Sequence, residues 1–140
     1  MAINFFTEEV DTPLNEIPHT TSWLMKIASE HQQKIAELNY IFCSDDYLLK
    51  INQEHLNHDY FTDIITFDHS EDTGFIEGDV FISVDRVRDN SETLQVQFLD
   101  ELHRVIVHGL LHLLGYNDKS ESEQKVMREK EDACISLLHK

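Results

Sequence analysis

Val105 to Leu114 is the longest apolar run of the chain, and two histidines interrupt it. Leu94 to Leu114 is apolar around much of a helical circumference, a pattern that suits a helix buried in a core. His108 and His112 are four residues apart, so that helix puts both imidazoles on one face, within reach of one ion. Gly115 then supplies the left-handed conformation that ends a helix and turns the chain back. Asp118 falls where a third ligand can reach the same ion.

The order His-x3-His-x2-Gly-x2-ligand has the spacing of long metzincin-type zinc motifs, in which three protein ligands leave one position for water. A bare pair of histidines four apart is also what a packed, hydrogen-bonded core offers, and the chain has nine histidines. The glycine and the acid meet separate geometric needs. They favour a site for one divalent ion, most simply zinc, held by His108, His112 and Asp118.

At 140 residues the chain fits one domain with one core, and 41% hydrophobic content suffices to build it. No stretch reaches the roughly 18 apolar residues that cross a membrane. The first residues lack a basic segment followed by a long apolar one, so no secretory signal is read there. Cys43 and Cys134 form no Cys-x-x-Cys pair; the expectation is two small buried thiols in a reduced, cytoplasmic protein.

The net charge of −16 argues against a general nucleic-acid binder, because affinity for phosphate backbones comes mainly from Lys and Arg. A divalent ion beside a few arginines can reverse that locally, with Arg86, Arg88 and Arg104 as candidates. Arg104 lies one turn before His108 on the same helical face. It is therefore a candidate catalytic residue beside His108, His112 and Asp118, or an ordinary cation paired with Asp100 or Glu101.

The pattern predicts an α+β domain: a small mixed sheet of about four strands packed against helices. Strands are expected at 2–6, 37–43, 63–67 and 78–83, with a turn near Gly74. Leu38, Tyr40 and Phe42 share one side of the second. Thr20, Thr21 or Ser22 caps a helix to about His31 whose apolar face is Trp23, Leu24, Ile27 and Ala28. Ser44-Asp45-Asp46 caps another, ending near His55. Further helices are predicted at 84–90, 94–114 and about 120–138, the last with Val126, Met127, Ala133, Ile135 and Leu138 as its apolar stripe. Gly109, beside His108, marks a close approach of another element or a tolerated weak point.

His108 to Tyr116 resembles the signature of the YbeY family of bacterial metal-dependent endoribonucleases. Thr62-Asp63-Ile64-Ile65-Thr66-Phe67 is similar to the family's Thr-Asp-Val-Leu-Ser-Phe strand, and Gly78-Asp79-Val80 to its Gly-Asp-Ile strand. The order of elements and the Met127-containing terminal helix agree, so the resemblance spans nearly the whole chain. It implies a single metal-dependent hydrolase domain over 1–140, cleaving single-stranded RNA in maturation of the 3′ end of 16S ribosomal RNA and in ribosome quality control. The implied partner is ribosomal RNA on the small subunit, with no DNA.

Two positions depart from the family pattern. The motif usually ends in a histidine where this chain has Asp118, a normal zinc ligand that adds a negative charge and leaves bound water less acidic. Leu56 stands where the family usually has an arginine linked to RNA handling, so Arg104, Arg86 or His58 would have to compensate. A metal-activated water needs no protein nucleophile. Asp63, Asp79 and His69 are the candidates for a general base. The alternatives are a non-catalytic ribosome-associated factor with a structural metal and a metallopeptidase. Gly109 stands against the peptidase, since zinc proteases place a glutamate there.

Overall fold

The structure is a computed structural model that describes residues 2–14, 17–56, 62–71 and 74–139. Its elements run β1 (Ala2–Glu8), α1 (Ile17–Glu30), β2 (Lys34–Cys43), α2 (Asp45–Leu56), β3 (Ile64–Asp68), β4 (Phe75–Ser83), α3 (Val84–Leu94), α4 (Phe98–Leu113) and α5 (Glu121–Leu138). The four strands form one mixed sheet in the order β1-β2-β4-β3. β1 and β2 are parallel, β2 and β4 are parallel, and β3 returns antiparallel on β4 as an edge strand.

Alternation along the strands divides the residues between two faces. Leu38, Tyr40 and Phe42 of β2 and Val80 and Ile82 of β4 are fully buried on one face, beneath the apolar sides of α1, α4 and α5. α2 covers part of the other face, where Leu48 packs with Cys43 and Ile65. That face also carries a polar row: Asn4 donates to Asn39, Asn39 donates to Asp79, and Asp79 meets His69 Nε2 at 3.1 Å. A sheet so clothed is a single α+β domain, and both cysteines are free and buried in it.

Several predicted boundaries move for identifiable reasons. α1 begins at Ile17, so Thr20, Thr21 and Ser22 lie inside it, and Pro18 takes a first-turn position where a missing N–H costs nothing. Residues 94–114 are not one helix. Gln95 adopts a left-handed φ of 58° and its N–H returns to Ser91 and Glu92 carbonyls, which closes α3 at Leu94 before α4 starts. β2 and β4 begin three residues earlier than the alternation suggested. On α5 the buried residues are Met127, Glu131, Cys134 and Leu138, whereas Val126 and Ala133 face outward.

α4 is buried along most of its length, with Leu102, Ile106, Leu110 and Leu111 fully inaccessible. Each such side chain contributes about 1.5–3 kcal/mol of transfer free energy, which outweighs the indifferent propensities of its valines and isoleucine. Gly109 lets this helix sit close on the sheet, since a Cβ there would lie 2.8 Å from Val80 Cγ1 and 3.2 Å from Ile64 Cδ1. The close-approach reading of Gly109 is therefore the one the packing supports. Tyr40 anchors the helix from below, its hydroxyl donating to the Ile106 carbonyl at 2.8 Å.

Candidate metal centre

The last turn of α4 and the loop after it bring three ligand atoms together. His108 Nε2 and His112 Nε2 are 3.0 Å apart, and Asp118 Oδ2 lies 3.3 Å from the first and 3.5 Å from the second. The loop returns because Gly115 takes φ 108°, with its N–H on the His112 carbonyl and the Tyr116 N–H on the Leu111 carbonyl. This is the paired hydrogen-bond pattern of a glycine-terminated helix.

The outer nitrogens fix which inner atoms are available. His108 Nδ1 donates to Glu131 Oε2 at 2.7 Å, and His112 Nδ1 donates to the Tyr116 carbonyl at 3.0 Å. Both acceptors lack a hydrogen, so each neutral ring carries its proton on Nδ1 and turns a bare Nε2 lone pair inward. Two lone pairs and a carboxylate oxygen thus converge on one point, an arrangement that repels itself without a cation. A tetrahedral ion with ligands at about 2.0–2.1 Å spaces its ligand atoms about 3.3 Å apart, close to the separations found. Two imidazoles and one carboxylate are a donor set that zinc accepts and that calcium or magnesium does not favour. The cluster can hold a divalent metal ion.

Electrostatics around the cluster favour positive charge. Burial opposes an imidazolium at His108, but its bond to Glu131 and the charges of Glu131, Asp118 and Asp63 outweigh this and hold its pKa above the usual value. Burial likewise opposes the Glu131 anion, and its bonds to His108 and Arg104 reverse that and hold the carboxyl below its usual range.

The cluster opens into a cleft of about 580 Å³ walled by Asn52, residues 62–66 and Asp68, with His108, His112, Leu113 and Asp118 opposite. Most of one wall is therefore edge strand β3 and its approach. Asp63 belongs to this wall, takes a hydrogen bond from Asn90 at 3.3 Å, and has its carboxyl pushed up by burial against the opposing charge of His108.

The other candidates fall elsewhere. Asp79 and His69 pair with each other on the opposite face of the sheet, outside the cleft lining, so neither is placed to act as a general base there. Arg86 bonds Asp45 at 2.7 Å, and the Arg88 guanidinium lies 4.4 Å over the Phe98 ring. No arginine patch gathers at the cleft among the described residues. Arg104 borders a smaller cavity that shares Asp63, His108 and Asp118. It pairs with Glu131 at 2.9 Å and Asp132 at 2.8 Å, not with Asp100 or Glu101. The Leu56 side chain and His58 lie outside the described residues.

Glu131 was not legible as a neighbour of the site from motif spacing. Its signal is positional: an acid occupying the buried stripe Met127, Glu131, Cys134, Leu138, where a carboxylate has no place without partners.

Fold and cluster together define a small α+β domain of the kind in which a helix and its returning loop present a His-His-Asp set to a cleft. The sequence model of the endoribonuclease YbeY family matches residues 2–139, and the chain belongs to that family. A relative from Cytophaga hutchinsonii named endoribonuclease YbeY is 55% identical over 135 residues, covering 96% of this chain and 94% of the relative. One of the same name from Parabacteroides distasonis is 43% identical over 138 residues, covering 99% and 96%. The solution structure of TM1509 from Thermotoga maritima superposes with a TM-score of 0.72 at 24% identity, covering 98% of this chain and 89% of that one, and shares the fold.

Proposed function

We propose that the chain is a divalent-metal-dependent endoribonuclease, with zinc as its ion, that hydrolyses single-stranded RNA in the cytoplasm. Its substrate is the 3′ region of 16S ribosomal RNA on the small subunit, in maturation and ribosome quality control. The observation that carries the reading is the convergence of His108, His112 and Asp118 at one wall of an open cleft, in a chain of the YbeY family.

An ion held there supplies Lewis acidity toward a phosphoryl oxygen and lowers the pKa of a water. The chain's own contribution is positional. His108 and His112 present bare Nε2 atoms because their other nitrogens are tied to Glu131 and to the Tyr116 carbonyl. Asp63, which lines the cleft, would accept the proton of the attacking water. The oxygen of that water would join phosphorus as the bond to the leaving ribose oxygen breaks, with Asp63 passing the proton to that oxygen.

A second reading is a ribosome-associated factor whose metal serves the fold. The observation in its favour is that the cleft lining contains three aspartates and no Lys or Arg among the described residues, a poor surface for phosphates. Purified protein incubated with structured ribosomal RNA, with casein, and with each plus a chelator separates the readings. RNA cleavage that the chelator abolishes supports the nuclease. Intact substrates with every divalent metal, together with a large fall in melting temperature on chelation, support the structural role. Cleaved casein would establish a peptidase.

A further inference from the structure

We propose that Glu131 is a positioning residue for the metal centre, locked in place by Arg104, and that this pair sets how tightly His108 binds the ion. The inference rests on the metal-binding reading of the cluster, and concerns residues outside the ligand set.

The geometry is that of a bridge with both ends fixed. One carboxylate oxygen of Glu131 takes the His108 Nδ1 hydrogen at 2.7 Å, and the other takes an Arg104 Nη1 hydrogen at 2.9 Å. Arg104 is held from its far side by Asp132 at 2.8 Å. The Glu131 side chain is only 7% exposed, so its rotamer is set by these partners and by the helices around it. Arg104 and His108 are one turn apart on α4, and Glu131 and Asp132 are adjacent on α5. The bridge therefore ties the ligand-bearing helix to its neighbour at the level of the metal ligand.

Two consequences follow for the ion. A carboxylate has no hydrogen to give, so it holds the His108 ring in the tautomer whose Nε2 is free to coordinate. Its negative charge makes that nitrogen a better donor. Asp118 would place one anion on a bound ion, and an unneutralised second anion behind His108 would add to that negative charge. Arg104 offsets the charge of Glu131 while leaving one of its oxygens to the histidine. This gives Arg104 a role that does not require contact with RNA.

The competing account is that Arg104, Glu131 and Asp132 merely clamp α4 to α5. Zinc affinity of the metal-stripped full chain, measured by competition with a chromophoric chelator, separates the two, alongside the melting temperature of the metal-free protein. Glu131→Ala is expected to weaken zinc about 10- to 100-fold. Glu131→Gln keeps an acceptor for Nδ1 and is expected to fall between Ala and the parent. Arg104→Ala is expected to weaken zinc less than Glu131→Ala, and Arg104→Lys to recover part of that loss. Parent-like zinc affinity in Glu131→Ala, with a lowered melting temperature, would establish the clamp and overturn the proposal.

Should Glu131→Ala fail to fold, the zinc-loaded parent decides by imidazole nitrogen NMR. Coordination of His108 through Nε2 with a protected Nδ1 hydrogen supports the proposal, and coordination through Nδ1 refutes it. A parent that binds no divalent ion refutes it too. None of these readouts involves RNA, so absence of cleavage would bear on the proposed function and not on this pair.

Discussion

The Tyr116 carbonyl accepts the His112 Nδ1 hydrogen at 3.0 Å, so the turn that ends α4 also aims one of the helix's own side chains. The turn depends on Gly115, whose φ of 108° an L side chain rarely adopts even though a Cβ there would meet nothing within 4 Å. Gly115→Ala is accordingly expected to cost about 1–3 kcal/mol through backbone strain alone. Because strain displaces Tyr116, zinc affinity should fall with stability. Urea denaturation and chelator competition on the same preparation check both, and unchanged zinc affinity would show that His112 does not need the turn.

Gly109 invites the opposite substitution effect from the one helix propensity gives. Alanine in a helix interior gains about 1 kcal/mol over glycine. Here its Cβ would lie 2.8 Å from a methyl of Val80, a stiff β-branched side chain under a packed helix. Gly109→Ala should be net destabilising by about 1–3 kcal/mol, read as a lower urea midpoint at constant slope. A raised midpoint would mean that α4 can lift off the sheet without cost.

Asp118 is the third ligand of the proposed metal site. Asp118→Ala should remove most bound metal after dialysis, as should His112→Ala, measured by elemental analysis. Asp118→His should keep the metal. With a neutral third ligand the bound water becomes more acidic, so the rising limb of an RNA-cleavage pH profile should move to lower pH. Full metal content in Asp118→Ala would mean that another group completes the site.

Glu101 supplies a pH test away from the ligands. It is 6% exposed on α4, and burial raises its carboxyl pKa, with Asp63 adding to the effect and Arg104 opposing it. A carboxyl whose folded pKa exceeds its unfolded value contributes stability that is complete below the unfolded pKa. That contribution is lost as the pH rises through the folded pKa. Glu101→Gln, which stays neutral, should therefore match the parent at acidic pH and become the more stable of the two toward neutrality. Melting curves from pH 4 upward test this, and a constant difference across the range would show that Glu101 does not titrate with folding.

The sequence carried the sheet and the convergence of His108, His112 and Asp118 well because both are written in short-range patterns. Alternation placed Leu38, Tyr40 and Phe42 on one face, and the i,i+4 histidines with Gly115 placed three potential ligand atoms in one segment. What it did not carry depends on contacts between distant elements. The break at Gln95 is hidden because Leu94 and Val96 prolong the apolar run, and only backbone hydrogen bonds to Ser91 and Glu92 reveal it. Asp79 and His69 look like site residues by motif, yet strand parity turns them to the far face. Arg104 chose Glu131 and Asp132 over its own helix neighbours because α5 brings them alongside, which no spacing within α4 can signal.

His108, His112 and Asp118 all come from residues 108–118, one helix end and its returning loop. Drawing such ligands together closes only a short loop, so the chain entropy involved is small compared with a site gathered from distant strands. If the cluster binds an ion as proposed, α4 and the Gly115 turn alone present all three groups. Glu131 lies on α5, outside that segment. On the proposed reading, a chain whose α5 is undocked would keep the three groups but lose the Glu131 brace, so retention of an ion would depend on completion of the fold.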